Sequence, residues 1–322
     1  MIDRQGRKIN YVRVSVTDRC DLRCVYCMPE QGLKLATQAE ILRYEEIVRL
    51  VGLLARLGVK KVRLTGGEPL ARLGLAGLIE QLKSIEGIER ICLTTNGMLL
   101  SEQLPELVAA GLDSVNISLD ALDEEVFARI TRRPGVHRVL ASIEAARASG
   151  LSVKLNCVPT ALNRSQLIPL AERFLADERL PLRFIELMPI GQGRVLERLS
   201  STEVKQMLTE RFGELTPLAS ESLAGPCKYF KLADLPGRLG FIDAVSNCFC
   251  ASCNRVRLTS TGFSKTCLQF DRGAELKPLL DQDDETILKA MQAAILDKPE
   301  QHLFAGQAAG HIEERCMAQI GG

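Results

Sequence analysis

Apolar and polar positions over the first two-thirds of the chain repeat one pattern, a short β-rich run followed by a turn and an amphipathic helix. The runs typical of strands are Tyr11–Val16, Val59–Thr65, Ile91–Thr95, Ser114–Leu119, Ser152–Val158 and Leu182–Met188. The helical patterns between them are Tyr44–Leu57, Leu75–Ser84, Leu104–Ala110, Glu124–Ile130, Arg138–Ser149 and Gln166–Ala176. Six alternations of strand and helix predict an α/β fold with a parallel sheet covered by helices, either a partial barrel or an open sheet.

The alternation of strands and helices ends near Leu199, so we predict two domains, residues 1–199 and a smaller α+β domain over residues 200–322. The C-terminal part contains short strand-like runs and a stretch rich in Cys, Gly and aromatic residues. Its predicted elements are a helix at Ser201–Arg211, strands at Tyr229–Leu232 and Arg255–Leu258, and helices at Leu276–Leu280 and Glu285–Leu296.

The predicted strands of the first domain are apolar at alternate positions only. Parallel strands buried on both faces are usually apolar almost throughout, but here the other parity carries polar and charged side chains. Its members are Arg13, Ser15, Thr17, Lys61, Arg63, Thr65, Thr94, Asn96, Asn116, Ser118, Lys154, Asn156 and Arg183. A solvent-facing sheet is the simpler interpretation of any single residue. The repeated cations nevertheless favour a water-filled cavity with positive walls, which suits a phosphorylated or carboxylated small substrate.

Composition sets limits on partners and compartment. The formal net charge is +1, so no global field favours nucleic acid or a membrane surface. No apolar run reaches the length of a membrane span, and the first residues do not form the apolar core of a signal peptide. Eleven Cys in such a chain indicate reduced thiols that bind metal rather than disulfides. We therefore expect a cytoplasmic protein with no nucleic-acid or membrane partner.

Three cysteines, Cys20, Cys24 and Cys27, follow the first predicted strand with the spacing C-x3-C-x2-C. Three thiolates can bind three irons of a [4Fe-4S] cluster and leave the fourth iron without a protein ligand, whereas electron-transfer clusters normally take four Cys. Zinc is the main alternative, but its sites usually combine two C-x2-4-C pairs, and an uneven triplet fits them poorly. The spacing predicts a redox enzyme whose cluster has an open position.

A second set, Cys250, Cys253 and Cys267, has the spacing C-x2-C-x13-C. Cys248 lies close enough in sequence to complete four ligands, so a structural zinc site or a closed cluster remains an alternative. Between these cysteines, Arg255 and Arg257 occupy alternate positions of a strand-like run and would point the same way, as a phosphate contact requires. An ordinary solvated strand face is the other interpretation of the two arginines.

Two glycine pairs stand at positions where a ligand could approach the backbone. Gly66 and Gly67 belong to the sequence TGGEPL directly after the second strand, although a simple strand-to-helix turn would also use them. Gly321 and Gly322 end the chain. They could enter a narrow site that no side chain would fit, although a flexible tail is the plain alternative.

Together these motifs resemble the radical S-adenosylmethionine superfamily, because the C-x3-C-x2-C triplet is followed by Gly-Gly-Glu-Pro. The second cysteine set, the Asn-Arg-x-Arg sequence at residues 254–257 and the final Gly-Gly narrow the resemblance to the GTP 3′,8-cyclase family, over the whole chain. The extra Cys248 and one additional residue between Cys267 and Phe270 depart from that family's pattern. The resemblance implies an incomplete (β/α)6 TIM-type barrel, closed on its open side by a C-terminal α+β domain with a second iron–sulfur site.

The same resemblance implies two [4Fe-4S] clusters and S-adenosyl-L-methionine as cofactors, with GTP as substrate. The first cluster would bind to Cys20, Cys24 and Cys27, and the second to Cys250, Cys253 and Cys267, with an open iron facing guanine. Family positions contacting S-adenosylmethionine match Tyr26, Gly67, Ser118 and Met188. Positions contacting GTP match Arg13, Lys61, Arg63, Thr94, Lys154, Arg255 and Arg257, while those acting in the reaction match Arg183, Gly321 and Gly322.

The implied reaction is the first step of molybdenum-cofactor (molybdopterin) biosynthesis. A 5′-deoxyadenosyl radical removes hydrogen from the ribose C3′ of GTP, and the product is (8S)-3′,8-cyclo-7,8-dihydroguanosine 5′-triphosphate. An electron donor of unknown identity and a downstream molybdopterin-precursor synthase would be partners, and a homodimer is compatible with the resemblance. A radical S-adenosylmethionine enzyme that modifies peptides, or a non-catalytic iron–sulfur or zinc protein, is the alternative function.

Overall fold

The computed structural model describes residues 1–219, 225–304 and 313–321. Its first part contains six parallel strands: β1 (Tyr11–Ser15), β2 (Lys61–Thr65), β3 (Arg90–Thr95), β4 (Ser114–Ser118), β5 (Ser152–Cys157) and β6 (Leu182–Ile185). The helices between them are α1 (Tyr44–Arg56), α2 (Leu75–Lys83), α3 (Leu100–Ala109), α4 (Glu124–Thr131), α5 (Val136–Ala148) and α6 (Leu167–Phe174). The predicted order of strands and helices in this part is confirmed.

The described residues of the C-terminal part form a helix, then six strands, then two helices. These elements are α7 (Ser201–Phe212), β7 (Leu215–Pro217), β8 (Lys228–Leu232), β9 (Leu235–Ile242), β10 (Arg255–Leu258), β11 (Phe263–Lys265), β12 (Gly273–Glu275), α8 (Asp284–Leu296) and α9 (Met317–Ile320). The predicted helix at Leu276–Leu280 was wrong, because the chain forms only a short 3-10 turn at Lys277–Leu279.

All the strands belong to one sheet with the order β12-β11-β10-β1-β2-β3-β4-β5-β6-β9-β8-β7. β10 pairs in parallel with β1, and β9 pairs in parallel with β6, so the C-terminal strands extend the barrel sheet at both edges. The outermost strands, β12 and β7, are not paired with each other, and the sheet is therefore an open, partial barrel. This confirms the predicted fold class. The boundary at residue 199 stays a prediction, because C-terminal strands join the same sheet.

The two faces of the parallel strands differ as their alternation predicts. On β1, Val12 and Val14 are fully buried and belong to a core that also contains Ile47 and Leu50 of α1. Burying each such side chain contributes about 1.5–3 kcal/mol. The polar parity faces the other side of the sheet. None of the helices in the described ranges is long and apolar enough to cross a lipid bilayer.

Candidate active site

A cavity of about 770 Å³ runs along the polar face of the sheet. Every predicted site residue within the described ranges lines it, apart from Gly321. The lining includes the cations Arg13, Lys61, Arg63, Lys154, Arg183, Arg255 and Arg257, the residues Tyr26, Gly67, Thr94, Ser118 and Met188, and the six thiols Cys20, Cys24, Cys27, Cys250, Cys253 and Cys267. One cavity therefore collects both cysteine sets and the cations of the strands.

Strand register sets the cations in rows. Arg13 of β1 stands opposite Arg63 of β2 on one side and Arg257 of β10 on the other. Arg63 is held by Tyr11, whose hydroxyl accepts from its Nε at 2.7 Å, and by the Leu93 carbonyl, which accepts from Nη1 at 2.8 Å. Adjacent strands in a sheet are about 4.8 Å apart. Three guanidinium groups consequently extend side by side into the cavity.

The pKa values of these arginines show that their charged forms are destabilised by burial and by one another. Burial, joined by the charges of Arg63 and Arg255 and opposed by Tyr11, lowers the pKa of Arg13 to about 10. The pKa of Arg257 falls well below its usual value, mainly through burial and then through Arg13. A ligand with several negative charges would relieve this repulsion. The cavity is therefore built for a polyanion.

Lys154 and Arg183 form the wall on the far strands. The Oδ1 atom of Asn156 accepts from Nε of Arg183 at 3.0 Å and from Nη2 at 2.6 Å. Gly240 leaves room for the aliphatic part of the Arg183 side chain, because a Cβ there would lie 2.8 Å from Cγ of Arg183. Burial, followed by the charges of Arg183 and Arg63, lowers the pKa of Lys154 to about 8. Arg183 is thus fixed in place, while Lys154 can change charge near physiological pH.

The first cysteine loop packs directly on the Gly-Gly-Glu-Pro loop. The Gly67 N–H donates to the Thr17 carbonyl at 2.7 Å, and the Glu68 N–H donates to the Arg19 carbonyl at 2.7 Å. A Cβ on Gly67 would lie 2.3 Å from the Arg19 oxygen, and one on Gly66 would lie 2.5 Å from the Thr17 oxygen. The glycines thus have a packing role in addition to the ligand approach that the sequence indicated.

Glu68 fastens this junction to the end of β3. Its carboxylate accepts from Thr95 Oγ1 at 2.7 Å, from the Asn96 N–H at 2.7 Å and from the Leu70 N–H at 3.1 Å. Burial raises the pKa of Glu68 to about 7, against these hydrogen bonds. Asn96 also donates through Nδ2 to Oδ1 of Asp21 at 2.7 Å, inside the cysteine loop. Asn96 was predicted on the polar face, but neither it nor Glu68 was among the predicted site residues.

Tyr26 and Asp120 connect the cysteine loop to β4. The Tyr26 hydroxyl donates to Oδ2 of Asp120 at 2.6 Å, and Oδ1 of Asp120 accepts from the Val158 N–H at 2.8 Å. Asp120 is buried and lines the cavity. Asp120 lies two residues after the end of β4. This position, at the carboxyl end of a parallel strand, was the sequence signal for a site residue.

The thiols of Cys20, Cys24 and Cys27 fit a metal cluster. Burial is the main cause that raises the pKa of all three thiols, that of Cys27 to about 12, so bound metal would supply the positive charge that stabilises thiolates. Within the described ranges, only Cys248, Cys250 and His302 bring three potential ligand atoms within 4.8 Å of one another. The first triplet is therefore too widely spaced for a single ion, as suits ligands of separate irons.

The second cysteine set lies among cations. Burial alone would raise the pKa of Cys253, but Arg255 and Lys298 outweigh it and lower the value to about 7. Arg7 donates through Nη1 to the Cys250 carbonyl at 3.1 Å, and its Nε pairs with Oδ2 of Asp3 at 2.6 Å. Neither Arg7 nor Lys298 was assigned to the site, because nothing in their local sequence connects them with distant cysteines.

The C-terminal tail reaches the arginine row. Arg257 donates through Nη1 to the carbonyl of Gly321, which is buried with a φ of +76°. A Cβ on Gly321 would lie 3.2 Å from Cβ of Ser15 and 3.3 Å from Cγ2 of Thr65. Gly321 therefore lies against the ends of β1 and β2. Gly322, which the sequence also predicted as a site residue, lies outside the described residues.

Comparisons with known proteins match both halves of the chain. Residues 14–172 match the Radical SAM superfamily, and residues 180–304 match the family described as Molybdenum Cofactor Synthesis C. A GTP 3′,8-cyclase of Clostridium perfringens is 40% identical over 325 residues and 100% of both chains, and one of Petrotoga mobilis is 42% identical over 334 residues and 100% of both chains. The chain belongs to the GTP 3′,8-cyclase family.

A solved structure from outside this family has a similar fold. Streptococcus suis SuiB bound to S-adenosylmethionine superposes with a TM-score of 0.62 at 14% identity, over 91% of this chain and 66% of that one. So low an identity concerns the fold alone. It supports the partial barrel with a C-terminal extension, and the family itself rests on the cyclase relatives.

Proposed function

We propose that this protein is a radical S-adenosylmethionine enzyme that converts GTP to (8S)-3′,8-cyclo-7,8-dihydroguanosine 5′-triphosphate, the first step of molybdenum-cofactor biosynthesis. The observation that carries the proposal is a single cavity with two cysteine sets and a row of buried cations. Relatives named GTP 3′,8-cyclase at about 40% identity over the full length support it. A peptide-modifying enzyme is not favoured, since an extended peptide has no use for so many buried cations.

The cations bind and orient the triphosphate. Guanidinium groups pair with phosphate oxygens through two parallel hydrogen bonds, and the row of Arg63, Arg13 and Arg257 presents three such groups side by side. Lys61, Thr94, Lys154 and Arg255 line the same cavity and supply further donors. Fixing the triphosphate at this wall would hold the ribose in one orientation. Holding the reacting groups in the right geometry increases the rate of the reaction.

The first cysteine set holds the chemistry that starts the reaction. Cys20, Cys24 and Cys27 would hold a [4Fe-4S] cluster, which would supply the electron for cleavage of S-adenosylmethionine into methionine and a 5′-deoxyadenosyl radical. Tyr26, Gly67, Ser118 and Met188 line the cavity and would contact S-adenosylmethionine. Gly66, Gly67 and Glu68 hold the Gly-Gly-Glu-Pro loop against the loop that carries the thiols and against the end of β3.

The second cysteine set and the tail complete the substrate site. Cys250, Cys253 and Cys267 would hold a second [4Fe-4S] cluster with an open iron for the guanine base. Three residues would assist the reaction: Arg183, which is held by Asn156, Gly321, whose carbonyl accepts from Arg257, and Gly322, the next residue in sequence. The enzyme would act in the cytoplasm, receive electrons from a donor protein and deliver its product to a molybdopterin-precursor synthase. A homodimer stays a prediction.

Anaerobic turnover tests the proposal. The chain is reconstituted with iron and sulfide, reduced with dithionite and given S-adenosylmethionine with or without GTP, and 5′-deoxyadenosine and cyclised nucleotide are followed by chromatography and mass spectrometry. We expect 5′-deoxyadenosine and 3′,8-cyclo-GTP only when GTP is present. Formation of 5′-deoxyadenosine without any dependence on GTP, or none under either condition, would contradict the assignment.

A variant separates substrate binding from folding in the same assay. Arg257→Ala should weaken GTP-dependent turnover and leave the iron content unchanged. Arg211→Ala removes an exposed guanidinium paired with Glu172 and should behave as the parent. Loss of iron from Arg257→Ala would instead indicate a structural role for Arg257.

A further inference from the structure

Cys248, Cys250 and His302 form a second metal-ligand group that overlaps the second cysteine set. One potential ligand atom from each residue lies within 4.8 Å of the other two. The backbone nitrogen of Cys250 also lies 3.4 Å from Sγ of Cys248, so the Cys248 side chain turns towards Cys250. The group uses Cys250 but neither Cys253 nor Cys267. It is therefore distinct from the set with the C-x2-C-x13-C spacing.

His302 is placed as a ligand would be. Its ring packs against Phe304 with 4.5 Å between ring centroids and 36° between the ring planes, which restricts its orientation. Both ring nitrogens are buried and lack a hydrogen bond of normal geometry within the described ranges, although the Ala244 backbone lies close. A buried polar atom without a partner costs about 1–3 kcal/mol, and a metal ion bound to the ring would remove this cost for one nitrogen.

The chemistry of the group fits one zinc ion. Two thiolates and one imidazole make a Cys2His set, and zinc sites with three protein ligands keep a fourth position for water. Cys248 is exposed, so an ion can reach the group from solvent. Ligand atoms this close suit a single ion, whereas a cluster distributes its cysteines over separate irons.

We propose that Cys248, Cys250 and His302 bind one zinc ion when the second cluster is absent, and that zinc held there blocks assembly of that cluster. The block follows because Cys250 cannot serve both sites at once. The zinc site itself does not depend on the cyclase reaction, whereas the block rests on the proposed second cluster at Cys250, Cys253 and Cys267.

Cobalt absorption tests the zinc site. The reduced, cluster-free full chain, carrying Cys24→Ser to disable the first cysteine set, is titrated with Co²⁺ and then with Zn²⁺. We expect one Co²⁺ with thiolate-to-cobalt absorption, displaced by Zn²⁺. Removing a ligand should weaken binding by at least ~10-fold, in both Cys248→Ser and His302→Phe. The phenylalanine keeps a ring for stacking on Phe304 but offers no nitrogen.

Cys267→Ser is the matched control, because it removes a thiol of the cluster set that lies outside the zinc group. Its cobalt absorption and affinity should equal those of the parent. Equal loss in Cys267→Ser and Cys248→Ser would place the ion in the cluster set and overturn the proposal, as would unchanged binding in His302→Phe.

Iron uptake tests the block. Zinc-loaded chain with an intact first set should take up about half the iron of zinc-free chain on anaerobic reconstitution, and zinc-treated Cys248→Ser should recover the remainder. Full iron uptake by zinc-loaded parent would overturn the block. Neither result depends on turnover, so failure here would be distinguishable from failure of the cyclase assay.

Discussion

The two cysteine sets of one cavity are supported in opposite ways. The loop of Cys20, Cys24 and Cys27 follows β1 and packs on the loop that follows β2, so neighbouring strand ends build it. The second set is held by residues from both ends of the chain. Arg7 binds the Cys250 carbonyl, and Lys298 donates to the carbonyls of Arg255 and Thr266. The first set is therefore built by segments that are close in sequence, and the second depends on contacts between segments that are far apart in sequence.

The two cysteine sets also differ in what determines the pKa values of their thiols. Burial dominates at the first set and raises the pKa of its thiols, so metal must bring the positive charge. At the second set, Arg255 and Lys298 lower the pKa of Cys253 to about 7, whereas burial raises the pKa of Cys250 to about 12. We expect the first cluster to depend on the packing of its loops, and the second to depend on distant cations.

Removing one ligand from the first set should have the largest effect. Cys24→Ala should eliminate about half of the iron and all GTP-dependent 5′-deoxyadenosine, because the thiolate is an obligatory ligand. Iron analysis and chromatography measure the two outcomes. Cys157→Ala, which removes a thiol from the buried core, should retain both. Turnover by Cys24→Ala would place the reactive cluster elsewhere.

Breaking the long-range support should affect the second set alone. Arg7→Met leaves Asp3 buried without its partner, and breaking such a pair costs about 3–5 kcal/mol. We expect denaturant unfolding to show this loss in the free energy of unfolding. Reconstitution should give about half the iron, while the electron paramagnetic resonance signal of the first cluster persists. Arg4→Met changes an exposed arginine and should be neutral. Full iron in Arg7→Met would refute the dependence on distant support.

Disturbing the local support should affect the first set. In Gly67→Ala, the new Cβ meets the Arg19 carbonyl, and overpacking of this kind typically costs about 1–3 kcal/mol. We expect reduced thermal stability and loss of iron from the first cluster. Gly77→Ala is the control: it lies exposed within α2, where a Cβ meets nothing within 4 Å, and should stabilise by about 1 kcal/mol. Equal behaviour of the two variants would contradict the packing role of Gly67.

A smaller effect concerns the cationic wall that the two sets share. A bound polyanion favours protonated Lys154, so its pKa should rise from about 8 in the complex. GTP affinity is then full below pH 8 and declines as pH rises through this value, by at most about tenfold per pH unit for one linked proton. Calorimetric titration from pH 7 to 9.5 measures the slope. Lys154→Arg should flatten it, and an unchanged slope would exclude Lys154 as the linked group.

The strands and their polar parity were predictable from sequence because alternation encodes which side chains share a face. The cations of β1 and β2 accordingly lie in the cavity. The contacts of Arg7 and Lys298 were not predictable, since they arise only when β10 pairs with β1 and brings distant segments together. The same pairing explains why the C-terminal strands extend the barrel sheet, whereas their local pattern indicated a separate smaller domain.

The central claim is that this cavity holds the ribose C3′ of GTP against the radical generated at the first cysteine set. GTP carrying deuterium at C3′ tests it most directly, with mass spectrometry of the 5′-deoxyadenosine formed in anaerobic turnover. We predict that deuterium is transferred and that the product is heavier by one mass unit than with unlabelled GTP. Unlabelled 5′-deoxyadenosine from deuterated GTP would contradict the account.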